Sequence, residues 1–178
     1  MSVRVSVPTD LYDRLHAHLL PPDSPAEQAA FLFAKSTTAH VGYRFEVIDH
    51  VLIEQEGIEY HSLGYLELTD ATRARVIKKA HDLGTSLIEM HSHRLPFPAV
   101  FSPTDIAGLR EFVPHVWWRL QGKPYLALVV APGSFDGIAW LTHPKKPKPV
   151  DHLLVGRRIV RPTGLSAKQW RDADDRSL

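Results

Sequence analysis

The run Asp70–Asp105, DATRARVIKKAHDLGTSLIEMHSHRLPFPAVFSPTD, decides the architecture. Its first half places Val76, Ile77, Ala80 and Leu83 at helical spacing, opened by Asp70 and stopped by Gly84. From Leu87 to His93 the pattern changes to that of a strand, on which Leu87, Glu89, His91 and His93 share one face. Arg94 to Phe101, with Pro96 and Pro98, is an irregular loop. Ser102-Pro103 then starts a second helix that carries Ile106, Leu109 and Phe112 and ends before Pro114.

Upstream, Val3, Val5 and Val7 alternate with polar residues as a strand does. Thr9 can cap a helix from Asp10 to about Leu20, with Leu11, Leu15 and Leu19 on one stripe and Pro21-Pro22 as its stop. Ala29 to Ala34 is an apolar run short enough for a buried strand. Further strand is predicted from the alternation at Tyr43, Phe45 and Val47, from Val51 to Ile53, and from the pairs Ile58/Tyr60 and Leu66/Leu68. Downstream, His115–Leu120, Tyr125–Val130, Gly137–Thr142 and Leu153–Val160 read as strands. Helices interrupting hairpin-linked strands give an α/β (α+β) class, a mixed sheet flanked by helices.

At 178 residues the chain is long enough for one domain with its own core. An apolar fraction of 44% with a net charge of only +1 excludes wholesale disorder. There is no cysteine, which rules out disulfides, thiolate metal sites and a cysteine nucleophile. No apolar run approaches the ~20 residues of a membrane span, and Met1 to Pro8 lacks the apolar core of a signal peptide, so the expected compartment is the cytoplasm. Charge is uneven: from Lys145 onwards nine Lys/Arg stand against four Asp/Glu, while the remainder is acidic. A basic end can meet an acidic partner or nucleic acid. Its plainer reading is a solvated edge element with a frayed end. Lys145 to Pro149 reads as a stiff surface linker.

The chemistry concentrates in His91-Ser92-His93, Ser102 and Asp105. Histidines two apart on a strand project to the same side, so both imidazoles can reach one ion. Asp105, in the first turn of the following helix, can add a carboxylate oxygen. Two histidines, one carboxylate and an open fourth position describe a catalytic zinc site, although this ligand set does not select zinc uniquely. His16 and His18 have the same spacing, but on a helix that spacing does not put them on one face. Asp105 has a purely structural alternative as the partner of Ser102 in a capping box.

Taken together, these residues resemble the JAMM motif of the JAB/MPN-type zinc metalloproteases: an upstream glutamate, His-x-His, a short loop, then Ser-x-x-Asp. The glutamate that matches is Glu27, in the run Glu27-Gln28-Ala29-Ala30-Phe31-Leu32-Phe33-Ala34, where alanines replace the family's two glycines. Eight residues rather than the usual seven separate His93 from Ser102, and Arg94 replaces a common proline. The likeness covers roughly residues 5 to 142. It implies a JAB/MPN-like (cytidine deaminase-like) domain over 1–143. Residues 144–178 form a basic extension, read as an added strand plus a flexible tail.

The resemblance further implies Zn2+ held by His91, His93 and Asp105, with Glu27 as base and proton carrier and Ser102 as donor to the oxyanion. Glu89, on the histidine face, is the rival for Glu27. The implied activity is an isopeptidase or peptidase that cuts after the C-terminal tail of a ubiquitin-like protein. Bacterial members of this size suggest a ubiquitin-like conjugation or sulfur-carrier pathway, with E1/E2-like proteins as further partners. Competing readings are an inactive MPN-like scaffold, a zinc peptidase with an unrelated substrate, and a nucleic-acid binder using the basic end. The last is disfavoured by the acidic body.

Overall fold

The structure is a computed structural model and describes residues 1–175. In chain order the elements are β1 (Ser2–Val7), α1 (Thr9–Leu19), β2 (Ala29–Ala39), β3 (Gly42–Leu52), β4 (Ile58–His61), β5 (Leu66–Leu68), α2 (Asp70–Leu83) and β6 (Ser86–Ser92). They continue with α3 (Pro103–Arg119), β7 (Tyr125–Ala131), β8 (Ser134–Trp140), β9 (Lys148–Pro149), β10 (His152–Val155), β11 (Arg158–Val160) and α4 (Leu165–Asp175). Nine strands form one mixed sheet in the order β11-β10-β1-β3-β2-β6-β7-β8-β9, and β4 and β5 make a separate hairpin.

β2 sits at the centre because Ala29–Ala34 is apolar on both sides, and all six residues are buried. Phe31 and Phe33 join Leu87, Tyr125, Val129 and Trp140 under α2 and α3. Ala30, Leu32 and Ala34 turn the other way, towards Val3, Val5, Phe45 and the Leu11/Leu15/Leu19 stripe of α1. Helices therefore pack against both faces of the sheet at β2, in a mixed α/β fold. α2 begins where Thr69 accepts the Thr72 amide and ends at Gly84, whose φ of 63° suits a residue without a Cβ. α1 starts one residue earlier than anticipated: Pro8, not Thr9, is its cap position.

Two segments differ from the sequence reading. His115–Leu120, read as a strand, continues α3, which runs through Pro114 to Arg119. Ile106, Leu109, Val113, Val116 and Leu120 form one buried stripe at alternating three- and four-residue steps. Burying Val116 and Leu120 is worth roughly 1.5–3 kcal/mol each, which offsets the ~3 kcal/mol that an internal proline costs. Trp117 and Trp118, expected on opposite faces of a strand, are neighbours on this helix. Trp117 packs on the core and Trp118 is 72% exposed.

The second difference lies beyond residue 143, where a strand and a flexible tail were expected. β10 pairs in parallel with β1, and β11 closes the sheet beside it. α4 follows, held at its start by Asp136, whose carboxylate accepts the Gly164 amide at 3.0 Å and the Ser166 amide at 2.7 Å. Trp170 is buried edge-on against Trp140. Arg176–Leu178, at the end of the expected tail, lie outside the described residues.

A helix that passes through Pro114 should gain from an amide there. Pro114→Ala is expected to stabilise the protein by about 1–3 kcal/mol, raising Tm by several degrees in thermal denaturation. An unchanged or lower Tm would contradict a continuous α3.

Candidate metal centre

β6 lies between β2 and β7, with His91 opposite Ala29 on one side and Val129 on the other. Leu87, Glu89 and His91 project towards α2 and α3. His93 continues the alternation just past the strand, its amide donating to Val130 O at 2.8 Å. Ser92 points to the other face and is buried. Its Oγ accepts the Gln28 amide at 2.9 Å, while its own amide donates to Gln28 O at 3.0 Å. These two bonds pin the start of β2 against the end of β6. The residue just before, Glu27, is held by its own amide donating to Ser62 O at 2.8 Å and by His61 Nδ1 donating to its carbonyl at 2.9 Å. Sequence reading missed Ser92 and His61, because both act across strands distant in sequence.

Asp105 arrives from α3. Ser102 Oγ accepts the Asp105 amide at 3.1 Å, and Asp105 Oδ2 accepts the Ser102 amide at 2.7 Å, a complete capping box. The same Oδ2 lies 3.2 Å from His93 Nε2 and 3.5 Å from His91 Nε2, and the two Nε2 atoms are 3.3 Å apart. The capping role of Asp105 and its place beside the two imidazoles are thus compatible: the cap aims the carboxylate at them. Bonds of about 2.0–2.1 Å to a tetrahedral cation require ligand atoms about 3.3–3.4 Å apart. The edges of the triangle, 3.2, 3.3 and 3.5 Å, are close to these, so His91, His93 and Asp105 form a group that could hold a metal ion. Glu27 approaches from the side, its Oε1 3.8 Å from His93 Nε2.

The electrostatics express the same convergence. Burial pushes the Asp105 carboxyl up, but His91, His93 and the Ser102 amide hold it well below the usual carboxylate range. Burial pushes His91 down, yet the Asp105, Glu89 and Glu27 carboxylates outweigh it and raise its pKa to about 9. Burial pushes Glu27 up to about 7 against the pull of both histidines. Glu89 is on the histidine face, as expected, but its Oε2 is bonded by the Tyr125 hydroxyl, and burial raises its pKa. Of the two glutamates, Glu27 is the one whose oxygen lies within ion-pair distance of an imidazole of the triangle, 3.8 Å from His93 Nε2.

The loop between the ligands divides in two. Leu95 and Phe97 are exposed, whereas Ala99 and Phe101 are buried. The Phe101 ring lies 5.5 Å from the His91 ring. Ser166 Oγ accepts the Phe101 amide at 3.1 Å, and Thr163 Oγ1 donates to Ala99 O at 2.6 Å. The segment after residue 143 therefore braces the loop that joins the two halves of the site. A cleft of about 610 Å³ runs from His91 and Asp105 between β5 and α3, lined by Leu66, Arg73, Glu89 and Phe112. On its α3 wall Gly108 has open space where a Cβ would stand.

The chain matches no protein-family model and no curated protein. A structural likeness exists to a protein from Salinibacter ruber (strain DSM 13855) solved in solution by the Northeast Structural Genomics Consortium. It is 18% identical, covers 93% of this chain and 94% of that one, and has a TM-score of 0.39.

The metal-free protein should lose stability as pH rises. Glu27 has a folded pKa above its ordinary 4.5, so its contribution is complete below 4.5 and lost through about 7. His91 has a folded pKa above 6.5, so its contribution is complete below 6.5 and lost through about 9. A cation must displace the His91 proton, so binding should strengthen and release a proton over the same upper window. Melting curves between these pH values, in chelator and in added zinc, test this. A Tm in chelator that rises with pH would refute it.

Proposed function

We propose that this chain is a zinc-dependent peptidase of the JAMM type, acting after the extended C-terminal tail of a ubiquitin-like protein. The observation that carries the reading is the His91–His93–Asp105 triangle with the buried Glu27 carboxyl beside it. Held by His91, His93 and Asp105, zinc would supply Lewis acidity and would lower the pKa of a bound water. Glu27, whose pKa stands near neutral, can take a proton from the attacking water and return it to the leaving amine. Ser102 Oγ spends a lone pair on the Asp105 amide, so its hydroxyl proton remains to be donated to the oxyanion.

The cleft supports an extended substrate. β5 pairs with β4 on one side and lines the cleft with its other side. A tail laid along it would gain main-chain hydrogen bonds as an added strand. Opposite, Gly108 leaves open space on the α3 wall, so the main chain of a tail can approach α3 there. The exposed Tyr60, Leu63 and Tyr65 of the hairpin region and Leu95 and Phe97 of the loop provide apolar contact for a macromolecule rather than a metabolite.

Glu27→Gln is expected to keep zinc and lose roughly 10²–10⁴-fold in cleavage of a ubiquitin-like fusion. His91→Ala and Asp105→Ala should lose the metal itself. Metal content by mass spectrometry, paired with the cleavage assay, separates these outcomes. Zinc that binds without any cleavage would leave a scaffold, and full activity in Glu27→Gln would remove Glu27 as the base.

A further inference from the structure

Half of the main sheet carries a helix on one face only. α1 covers Val3, Val5, Phe45, Leu153 and Val155, while α2, α3 and α4 pack over β2 and β6 to β9. Among the described residues, no helix covers the opposite face of β3, β1, β10 and β11. The register places a row of three arginines and one histidine straight across it. Arg44 is opposite Arg4, and Arg4 is opposite His152. Arg161 directly follows Val160, the partner of Leu153, which sets it across from His152. Burial lowers the His152 pKa, and the Arg4 and Arg161 charges lower it further while Asp151 opposes them, so these charges are within mutual reach.

Like charges directly opposite one another on a sheet are destabilising. Here three arginines and a histidine occupy four adjacent strands, spanning about 14–15 Å at ~4.8 Å per strand. The neighbouring row reads Lys35, Glu46, Ser6, Leu154 and Ile159, so one cation–anion pair is followed by apolar residues, with Ile159 exposed. Apart from His152, neither row holds an aromatic ring, and single-stranded nucleic acid needs rings on which to stack its bases. Phosphates would also leave Leu154 and Ile159 without a partner. A helix presents one side chain per ~5.4 Å turn along a face, a fair match to the row's spacing, and can carry an apolar stripe beside it.

We propose that this open face docks an acidic, amphipathic helical segment of a protein partner, with its carboxylates on Arg44, Arg4 and Arg161, the His152 ring as a hydrogen-bonding group between them, and its apolar stripe on Leu154 and Ile159. The inference does not rest on the metal chemistry. The row crosses β2 at Thr37, the partner of Arg44, eight residues from Ala29 beside the site. At ~3.3 Å per residue that is about 26 Å.

The probe is a synthetic helical peptide of roughly 16 residues with one glutamate per turn and leucines on the adjoining stripe. It is titrated into the full chain at ~50 mM and ~150 mM salt and followed by calorimetry and by amide chemical shifts. Binding should shift residues of β1, β3, β10 and β11, and weaken about tenfold or more in Arg4→Glu and in Arg44→Glu. Arg4→Ser should bind more weakly and yet melt at a higher temperature without peptide, because it relieves the row. A purely structural arginine would melt lower when replaced. Absence of binding at about 1 mM peptide, shifts on other elements, or variants that bind as wild type would overturn the proposal. So would a single-stranded oligonucleotide that binds the face more tightly than the peptide at the higher salt.

Discussion

Asp105 Oδ2 has two lone pairs and two uses. One accepts the Ser102 amide at 2.7 Å and closes the first turn of α3; the other faces two imidazole nitrogens at 3.2 and 3.5 Å. A free aspartate would sample several rotamers. This one cannot leave without exposing a helix amide that has no other partner. The carboxylate is thereby oriented before any ion arrives, which removes much of the ordering cost of binding. The strand side is set in the same manner. Ser92, between the two histidines, spends its hydroxyl and amide on Gln28 and so holds Glu27 to the same place. Secondary structure and site are thus built from the same hydrogen bonds, and a substitution at Ser92 or Ser102 would disturb both.

That economy leaves an electrostatic tension. Two imidazoles and two carboxyls meet within a buried space, and protons alone balance it poorly: His91 is driven to hold a proton while Asp105 refuses one. A divalent cation satisfies all three edges of the triangle at once, whereas one hydrogen bond satisfies one edge. Buried titratable groups whose environments drive their protonation apart are a mark of a functional site more often than of packing.

Much of this was legible because the decisive signals are local. Alternation from Leu87 to His93 fixes a shared face, and Thr69 to Gly84 brackets a helix by its caps. The spacing of Ser102 and Asp105 specifies a helix start whatever else surrounds it. The failures have physical causes of the opposite kind. Pro114 argues for a break on backbone grounds, but the stripe from Ile106 to Leu120 outweighs it, and that stripe matters only once the sheet is present to receive it. α4 was invisible because its burial depends mainly on Trp170 and Ser166 among charged residues, with partners at Trp140 and Phe101 far away in sequence. Ser92 and His61 carry no periodic signal at all; their roles exist only between strands.

The central strand connects these observations. β2 is buried on both faces from Ala29 to Ala34 and exposed from Lys35 to Ala39, so its two ends live in different surroundings. Its first end lies under α2 and α3, where burial raises the Glu27 pKa and opposes the protonation of His91 that the Asp105, Glu89 and Glu27 carboxylates impose. Its second end opens onto the uncovered half of the sheet, where water screens charge within about 8 Å at physiological salt. Charges of like sign can be set side by side there and still permit folding, and they act only on what comes into contact. The same strand therefore separates a dry place suited to chemistry from a wet place suited to recognition. One continuous strand fixes the distance between the two.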